Sequence, residues 1–430
     1  MRFLGAAVAT AGLLVVPLAS AAFFGRAADL PVAGQPVSIV LADATQDGTL
    51  DIVMANAAAP GLSVLPGLAN GKFERRLDFA AETGARVVAA GDFDNEGAID
   101  LALGAGNAVT IFAGVDAGLV RGTSYAIDSP AAIATADLDF DGNLDLVVTS
   151  STSPSVSILR GRGDGTFDAP AQQAGQSPAT SVFVGDLDGD EVPDVAAAGR
   201  TAVIMLGLGD GTLEPYQALA APGGLRAVAG DDLDSDGMID LVLAGGSNQV
   251  FVGLNTGEGV FPEFTPYTVG AMPVQVAILD LDDDGFPDLL TVNRGSNDLS
   301  ALRGAGDGQF LPQSRIRVGR TPTALAADDV NSDGTDDLVV SNRRSRSVTL
   351  LLSGVNAPQP VVCLVPRVVR RTLAVAQRLL RQAHCAVAPV RRLYSNRVRQ
   401  GRVIAQKPVA RLRLPEATRV SLLVSRGAKR

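Results

Sequence analysis

Asp280-Leu281-Asp282-Asp283-Asp284-Gly285-Phe286-Pro287-Asp288 decides how this chain is read. Acids fall at its first, third, fifth and ninth places, and Gly285 holds the sixth. Alternate carboxylates face one centre only where the backbone curls, and a glycine permits the left-handed turn that curls it. A curled loop that offers oxygens from several sides suits a hard cation. Ca2+ fits best, because it accepts about six to eight oxygens in flexible geometry. The apolar run Leu289-Leu290-Thr291-Val292 follows at once, so the loop delivers the chain into a buried strand.

Working outward, the same pattern returns six times. Its four ligand places are Asp43, Thr45, Asp47 and Asp51 in the first copy, and Asp92, Asp94, Glu96 and Asp100 in the second. They are Asp137, Asp139, Asp141 and Asp145 in the third, and Asp186, Asp188, Asp190 and Asp194 in the fourth. The fifth copy has Asp232, Asp234, Asp236 and Asp240. The sixth has Asp280, Asp282, Asp284 and Asp288, and the last Asp329, Asn331, Asp333 and Asp337. First positions step by 49, 45, 49, 46, 48 and 49 residues, the mark of a repeat architecture. Up to seven Ca2+ sites are expected. Thr45 and Asn331 still offer an oxygen. Glu191 stands where glycine is expected, which predicts a strained or altered turn in the fourth loop.

Each period also reads as four short strands. In the fourth, Ser181–Val184 leads into the loop, Val195–Ala198 leaves it, Ala202–Leu206 returns, and Thr212–Leu219 is a more polar fourth. A tight turn precedes the last strand: Gly161-Arg162-Gly163-Asp164-Gly165 in one copy, Gly207 to Gly211 and Gly304 to Gly308 in others. Four strands with hairpin connections make one propeller blade. The seventh period stops after its third strand, Ser347–Leu352. Phe23–Leu30 reads like the missing fourth and precedes the first repeat at the right distance. A ring closed in this way leaves no open sheet edge. The fold class is therefore mainly β: a closed seven-bladed β-propeller over residues 22–355.

These loops and Gly-Asp-Gly turns resemble the FG-GAP/VCBS repeat family, whose relatives include the integrin α-chain propeller. The resemblance implies that the loops bind Ca2+ and hold the first two strands of a blade together, and that ligands meet the opposite face. On that face, blades six and seven place Arg294, Arg320, Arg343, Arg344 and Arg346. They read either as a solvated basic edge or as a site for an anionic polymer.

The ends of the chain differ from this middle. Met1-Arg2, an apolar run from Phe3 to Leu18 and Ala19-Ser20-Ala21 read as a secretory signal peptide, residues 1–21. The alternative is an uncleaved anchor, against which Pro17 and the many small residues argue. No other segment could span a membrane. After the stiff linker 356–360, the composition turns basic. From residue 357 onward there are 17 Lys and Arg and one acid, Glu416, a charge of +16 against −26 for the remainder. Residues 361–430 read as β-α-β-β-β: a strand at Val361–Pro366, a helix capped by Thr372, then strands at Val387–Arg392, Gly401–Lys407 and Arg419–Ser425. That order, with Val365-Pro366, Thr372-Leu373 and Gln406-Lys407-Pro408, resembles a PASTA domain. The resemblance implies association with peptidoglycan. The arginine content departs from a typical copy and points to an anionic wall polymer as the other partner. Cys363 and Cys385 are the only cysteines. A disulfide is their expected state in an exported chain, two buried free thiols the alternative.

Function classes narrow accordingly. His384 is the only histidine, no serine or cysteine has a plausible base, and regular loops absorb most paired carboxylates. Absence of Trp weakens a sugar-stacking lectin. An exported chain without an aromatic stacking platform gives no reason to expect nucleic acid. The leading expectation is not an enzyme. It is a secreted, Ca2+-binding propeller that binds a surface glycan or protein, or acts as a scaffold, held at the cell wall by its C-terminal domain. The alternative is a hydrolase or lyase acting on extracellular polysaccharide.

Overall fold

The computed structural model describes residues 24–427, apart from 69, 116–117, 354–361, 366, 383–384, 396, 409–412 and 416–418. The signal segment, the linker 356–360 and His384 lie outside the described residues. Residues Phe23–Asn356 form one compact unit, and Ala357–Arg430 fall in another.

In the first unit, seven four-stranded antiparallel sheets follow one another in the order of the chain. Blade six is typical, with strands Pro273–Leu279, Asp288–Asn293, Asp298–Leu302 and Ser314–Arg317. Its second strand is buried at every residue, as are the six equivalents, Asp51–Asn56 to Asp337–Asn342. Neighbouring blades cover both of its faces. That is why these strands read as continuous apolar runs rather than as an alternation. Core clusters such as Val242, Leu289, Leu302 and Phe310 draw side chains from two blades at once. First strands pack against first strands all the way round, and Pro322–Asp328 of blade seven meets Pro36–Ala42 of blade one. Each first strand carries a bulge near its start, as between Pro273 and Gln275.

The ring closes as the sequence reading expects. Gly25–Pro31 lies antiparallel to Ser347–Leu352 as the outermost strand of blade seven, with Asp29 opposite Thr349 and Pro31 opposite Ser347. The Thr349 hydroxyl donates to Asp29 Oδ1 at 2.7 Å. One expectation needs trimming. The fourth strand of blade four is only Gln217–Ala218, because the Gly207–Leu213 bridge absorbs its first half into the turn.

The second unit has the expected order with two refinements. Its helix is Leu373–Gln382, and Thr372 Oγ1 accepts the Val375 N–H at 3.4 Å. Ala376 and Leu380 are buried, while Arg378 and Arg381 are exposed. The predicted strand Val387–Arg392 divides into Ala386–Val387 and Arg391–Leu393. Both lie parallel to the central strand Arg419–Ser425, and Val403–Lys407 lies antiparallel to it. An additional strand, Arg413–Pro415, pairs with Val362–Leu364.

Candidate metal centres

Every acidic loop joins the first strand of a blade to its second, so all seven sit on one face of the propeller. The sixth shows the construction. Asp280 folds back over its own loop, accepting the N–H groups of Asp284 at 2.9 Å and Gly285 at 2.6 Å. Gly285 has φ +82°, and a Cβ there would meet nothing within 4 Å. The requirement for glycine is therefore one of backbone conformation, not of space. The fourth place is left-handed too, at Gln46, Asn95, Phe140, Ser235, Asp283 and Ser332. No residue type in the sequence announced that second left-handed place.

The ninth-place acid is the clamp of each loop. Asp288 accepts the Leu281 N–H at 3.1 Å and, with its other oxygen, the Gly304 N–H at 2.7 Å. Gly304 begins the glycine-rich turn, so this one side chain ties the loop to the end of the third strand. Asp51, Asp100, Asp145, Asp194, Asp240 and Asp337 make the equivalent bond to Gly67, Gly114, Gly161, Gly207, Asn255 and Ser353 at 2.7–2.8 Å. The glycine is needed for close approach: a Cβ on Gly304 would stand 2.1 Å from the Pro287 carbonyl oxygen. Turns also tie blade to blade. Gly165, Gly211 and Gly308 donate to the carbonyls of Phe93, Leu138 and Leu233 in the preceding blade's loop. In blade five the Asn255 side chain takes over this task, donating to the Leu187 carbonyl at 2.7 Å.

Five loops bring their first, third and ninth acids together, with ligand oxygens within 4.8 Å of one another: Asp92/Asp94/Asp100, Asp137/Asp139/Asp145, Asp186/Asp188/Asp194, Asp232/Asp234/Asp240 and Asp280/Asp282/Asp288. Fifth-place acids adjoin these groups, Asp190 beside Asp188 and Asp236 beside Asp234. Asp141, Asp190, Asp236 and Asp284 each spend one oxygen on the seventh-place N–H at 2.8–2.9 Å. Asp47 and Asp333 do likewise, at 2.9 and 3.1 Å. Loops one and seven, with Thr45 and Asn331 in third place, hold fewer acids. In loop seven, however, Asn331 Oδ1 and Asp337 Oδ2 are buried with no hydrogen-bond partner, and in loop two Asp92 Oδ1 is as well. Buried oxygens without donors fit a cation that would supply the missing contact.

The fourth loop takes the first of the two expected courses, a strained turn rather than an altered one. Glu191 adopts φ 69°, and its N–H reaches Asp186 Oδ2 at 2.9 Å, as Gly285 does to Asp280. The turn is not altered. The chain accepts the left-handed strain, and the acid group forms as in its neighbours.

Electrostatics favour a cation at these loops. Burial pushes Asp288 up to about 7, and Asp194, Asp240 and Asp337 up to about 6, with the other loop carboxylates adding repulsion. Burial also raises Asp51, Asp100 and Asp145. Asp282 has a built-in counter-charge, Arg303 Nη1 at 3.2 Å, a pairing the sequence did not signal.

On the opposite face, the turns between second and third strands carry Arg294, Arg343, Arg344 and Arg346, and the link between blades six and seven carries Arg320. The structure brings Arg294, Arg320 and Arg344 to one recess, and Arg294, Arg343, Arg344 and Arg346 to another.

Comparison with known proteins agrees with this architecture. The FG-GAP-like repeat model matches residues 137–197, 232–291 and 280–340, and the PASTA domain model matches 364–426. No curated protein matches the chain. Among solved structures, BBS1N in complex with ARL6DN, soaked with lead, is 13% identical with a TM-score of 0.57, covering 78% of this chain and 99% of that one. The mercury soak of the same complex is 12% identical with a TM-score of 0.57, covering 78% and 98%. An Agrocybe aegerita lectin that recognises non-reducing terminal N-acetylglucosamine is 20% identical with a TM-score of 0.49, covering 72% and 86%. Such identities speak to the fold alone. Among the described residues, no helix is long and apolar enough to cross a membrane. The chain is a seven-bladed β-propeller carrying FG-GAP-like repeats, with acid clusters that could hold metal ions, followed by a PASTA domain.

Proposed function

We propose that this is an exported, non-enzymatic binding or scaffold protein. Its propeller is held together by Ca2+ in up to seven loops, and its C-terminal domain associates with the bacterial cell wall. The acid triads on five consecutive blades are the observation that carries the reading. Their donors are all oxygen, which favours Ca2+ over softer metals. First, third and ninth acids would hold the ion together with the remaining oxygen of the fifth-place acid, with Asn331 and Thr45 supplying oxygens in the two neutral-substituted loops. A bound cation would offset carboxylate repulsion that burial sharpens, fastening each first strand to its second. Domain types support a place outside the cell or at its surface. No described cysteine is a free thiol, which supports a Cys363–Cys385 disulfide and an oxidising compartment.

The test incubates the full chain, in Ca2+, with purified bacterial cell walls and with soluble wall and plant polysaccharides. Retention on the walls without release of reducing ends is the expected result. Release of reducing ends, or retention on no wall preparation, would overturn the reading.

A further inference from the structure

The two recesses opposite the acidic loops adjoin one another. One, of about 370 Å³, is lined by Arg294, Gly295, Asn297, Arg320, Thr321 and Arg344. Its neighbour, of about 410 Å³, shares Arg294, Thr321 and Arg344 and adds Gln35, Arg343 and Arg346. Neither lining contains an acid. The equivalent turns of other blades carry Ala57, Asn107, Ser151, Arg200 and Ser247, so guanidinium groups are gathered at this one sector. Such crowding concentrates positive potential where an anion could meet it.

The turns that carry the arginines are held in place, and so is one guanidinium. Arg294 and Arg343 are half-buried, and Arg343 Nε donates to Gln35 Oε1 at 3.0 Å. Their turns are laced across blades: Arg294 N–H to the Met272 carbonyl at 3.0 Å, Arg343 N–H to the Thr321 carbonyl at 3.0 Å, and Thr321 N–H to Asn297 Oδ1 at 2.7 Å. Planar guanidinium forks match carboxylate and phosphate groups, and the partial burial of Arg294 and Arg343 spares those two some screening by salt.

We propose that this double recess binds an acidic polysaccharide, seating successive carboxylate or phosphate groups against Arg294 and Arg344 and then against Arg343 and Arg346. The proposal rests on the binding reading above and names its ligand class. No aromatic or large apolar side chain lines either recess. That leaves no anchor for a protein hot spot and no platform for a nucleic-acid base.

The full chain in Ca2+ is titrated calorimetrically with oligogalacturonate, with a glycerol-phosphate oligomer, with neutral dextran and with single-stranded DNA. A preference for the first or the second distinguishes carboxylate from phosphate sources. The expected result is binding of at least one acidic oligomer, none of dextran, and a loss of about tenfold or more in R294E/R344E. The C-terminal control R391E/R392E, which changes the other basic region, should retain that component. Should R294E/R344E fail to fold, R294Q/R344Q carries the same test. Unchanged affinity in a folded recess variant overturns the proposal, as does loss only in R391E/R392E, or tighter binding of DNA than of either acidic oligomer. If neutral glycans or wall proteins are still retained through other residues, the binding reading survives that failure. Retention of no ligand of any class overturns both.

Discussion

The two faces of the propeller follow opposite rules. On the loop face, every blade repeats an acid at the first, fifth and ninth places, and the ninth-place carboxylate makes the same clamp seven times. On the other face, the turns vary in composition, and five arginines crowd blades six and seven. Repetition marks what every blade needs in order to stand in a ring. A broken repeat marks something only one sector does. Changes to the loop face should therefore move stability, and changes to the arginine face should move ligand binding and leave stability alone.

The largest effect is expected where the ring itself is opened. Removing Gly25–Pro31 strips blade seven of its outer strand and exposes the edge of Ser347–Leu352. Aggregation or loss of secretion is the expected outcome, read as soluble yield. A truncated chain that secretes and melts like the parent would contradict the closure.

Next comes a direct contrast between the faces. Asp288→Ala leaves two backbone N–H groups without their acceptor and removes a candidate ligand, so a loss of about 3–5 kcal/mol is expected. Arg344→Ala, exposed on the other face, should stay within about 0.5 kcal/mol. Urea titration in Ca2+ measures both, and comparable losses would erase the distinction between the faces.

A smaller effect concerns pH. Burial raises the folded-state pKa of Asp288 to about 7 and those of Asp194, Asp240 and Asp337 to about 6, from an ordinary 3.8. The metal-free folded state then binds protons more tightly than the unfolded chain. Its stability is greatest below the unfolded pKa and is lost as pH rises through the folded values. Metal-free protein should accordingly melt higher near pH 5 than near pH 8, and excess Ca2+ should remove or reverse that trend. Identical melting at both pH values without metal would contradict the carboxylate repulsion invoked here.

The smallest change is a gain. Glu191 occupies the left-handed conformation that glycine holds in the other loops. Glu191→Gly should stabilise by about 1 kcal/mol through relief of that strain, measured as a shifted urea midpoint. A loss of stability would mean that the Glu191 side chain makes a contribution of its own.

Much of this was legible in the sequence, for a physical reason. A cation loop needs acids at fixed intervals and a left-handed residue to curl them, and both leave unmistakable residue types. A continuously buried second strand leaves an apolar run, and a seventh repeat lacking its last strand demands a donor from elsewhere in the chain. What escaped notice depends on three-dimensional juxtaposition. Left-handed backbone at Phe140 or Gln46 has no residue-type signature. Arg303 meets Asp282 only because a third strand ends beside the loop. The bond from each fifth-place acid such as Asp284 to the seventh-place N–H also depends on how the loop curls, not on residue type. The short strand Arg413–Pro415 carries too little pattern to announce itself.

The central claim is that metal in the acidic loops holds the blades together. Thermal melting of the full chain in millimolar Ca2+ and after exhaustive chelation tests it most directly. Native-state binding at 100 times Kd stabilises by about 2.7 kcal/mol for each site, so several sites together should raise the melting temperature by about 10 °C or more. Equilibrium dialysis should find at least the five ions that the acid triads would take. A melting curve that chelation leaves in place, with no ion retained on dialysis, would contradict the account.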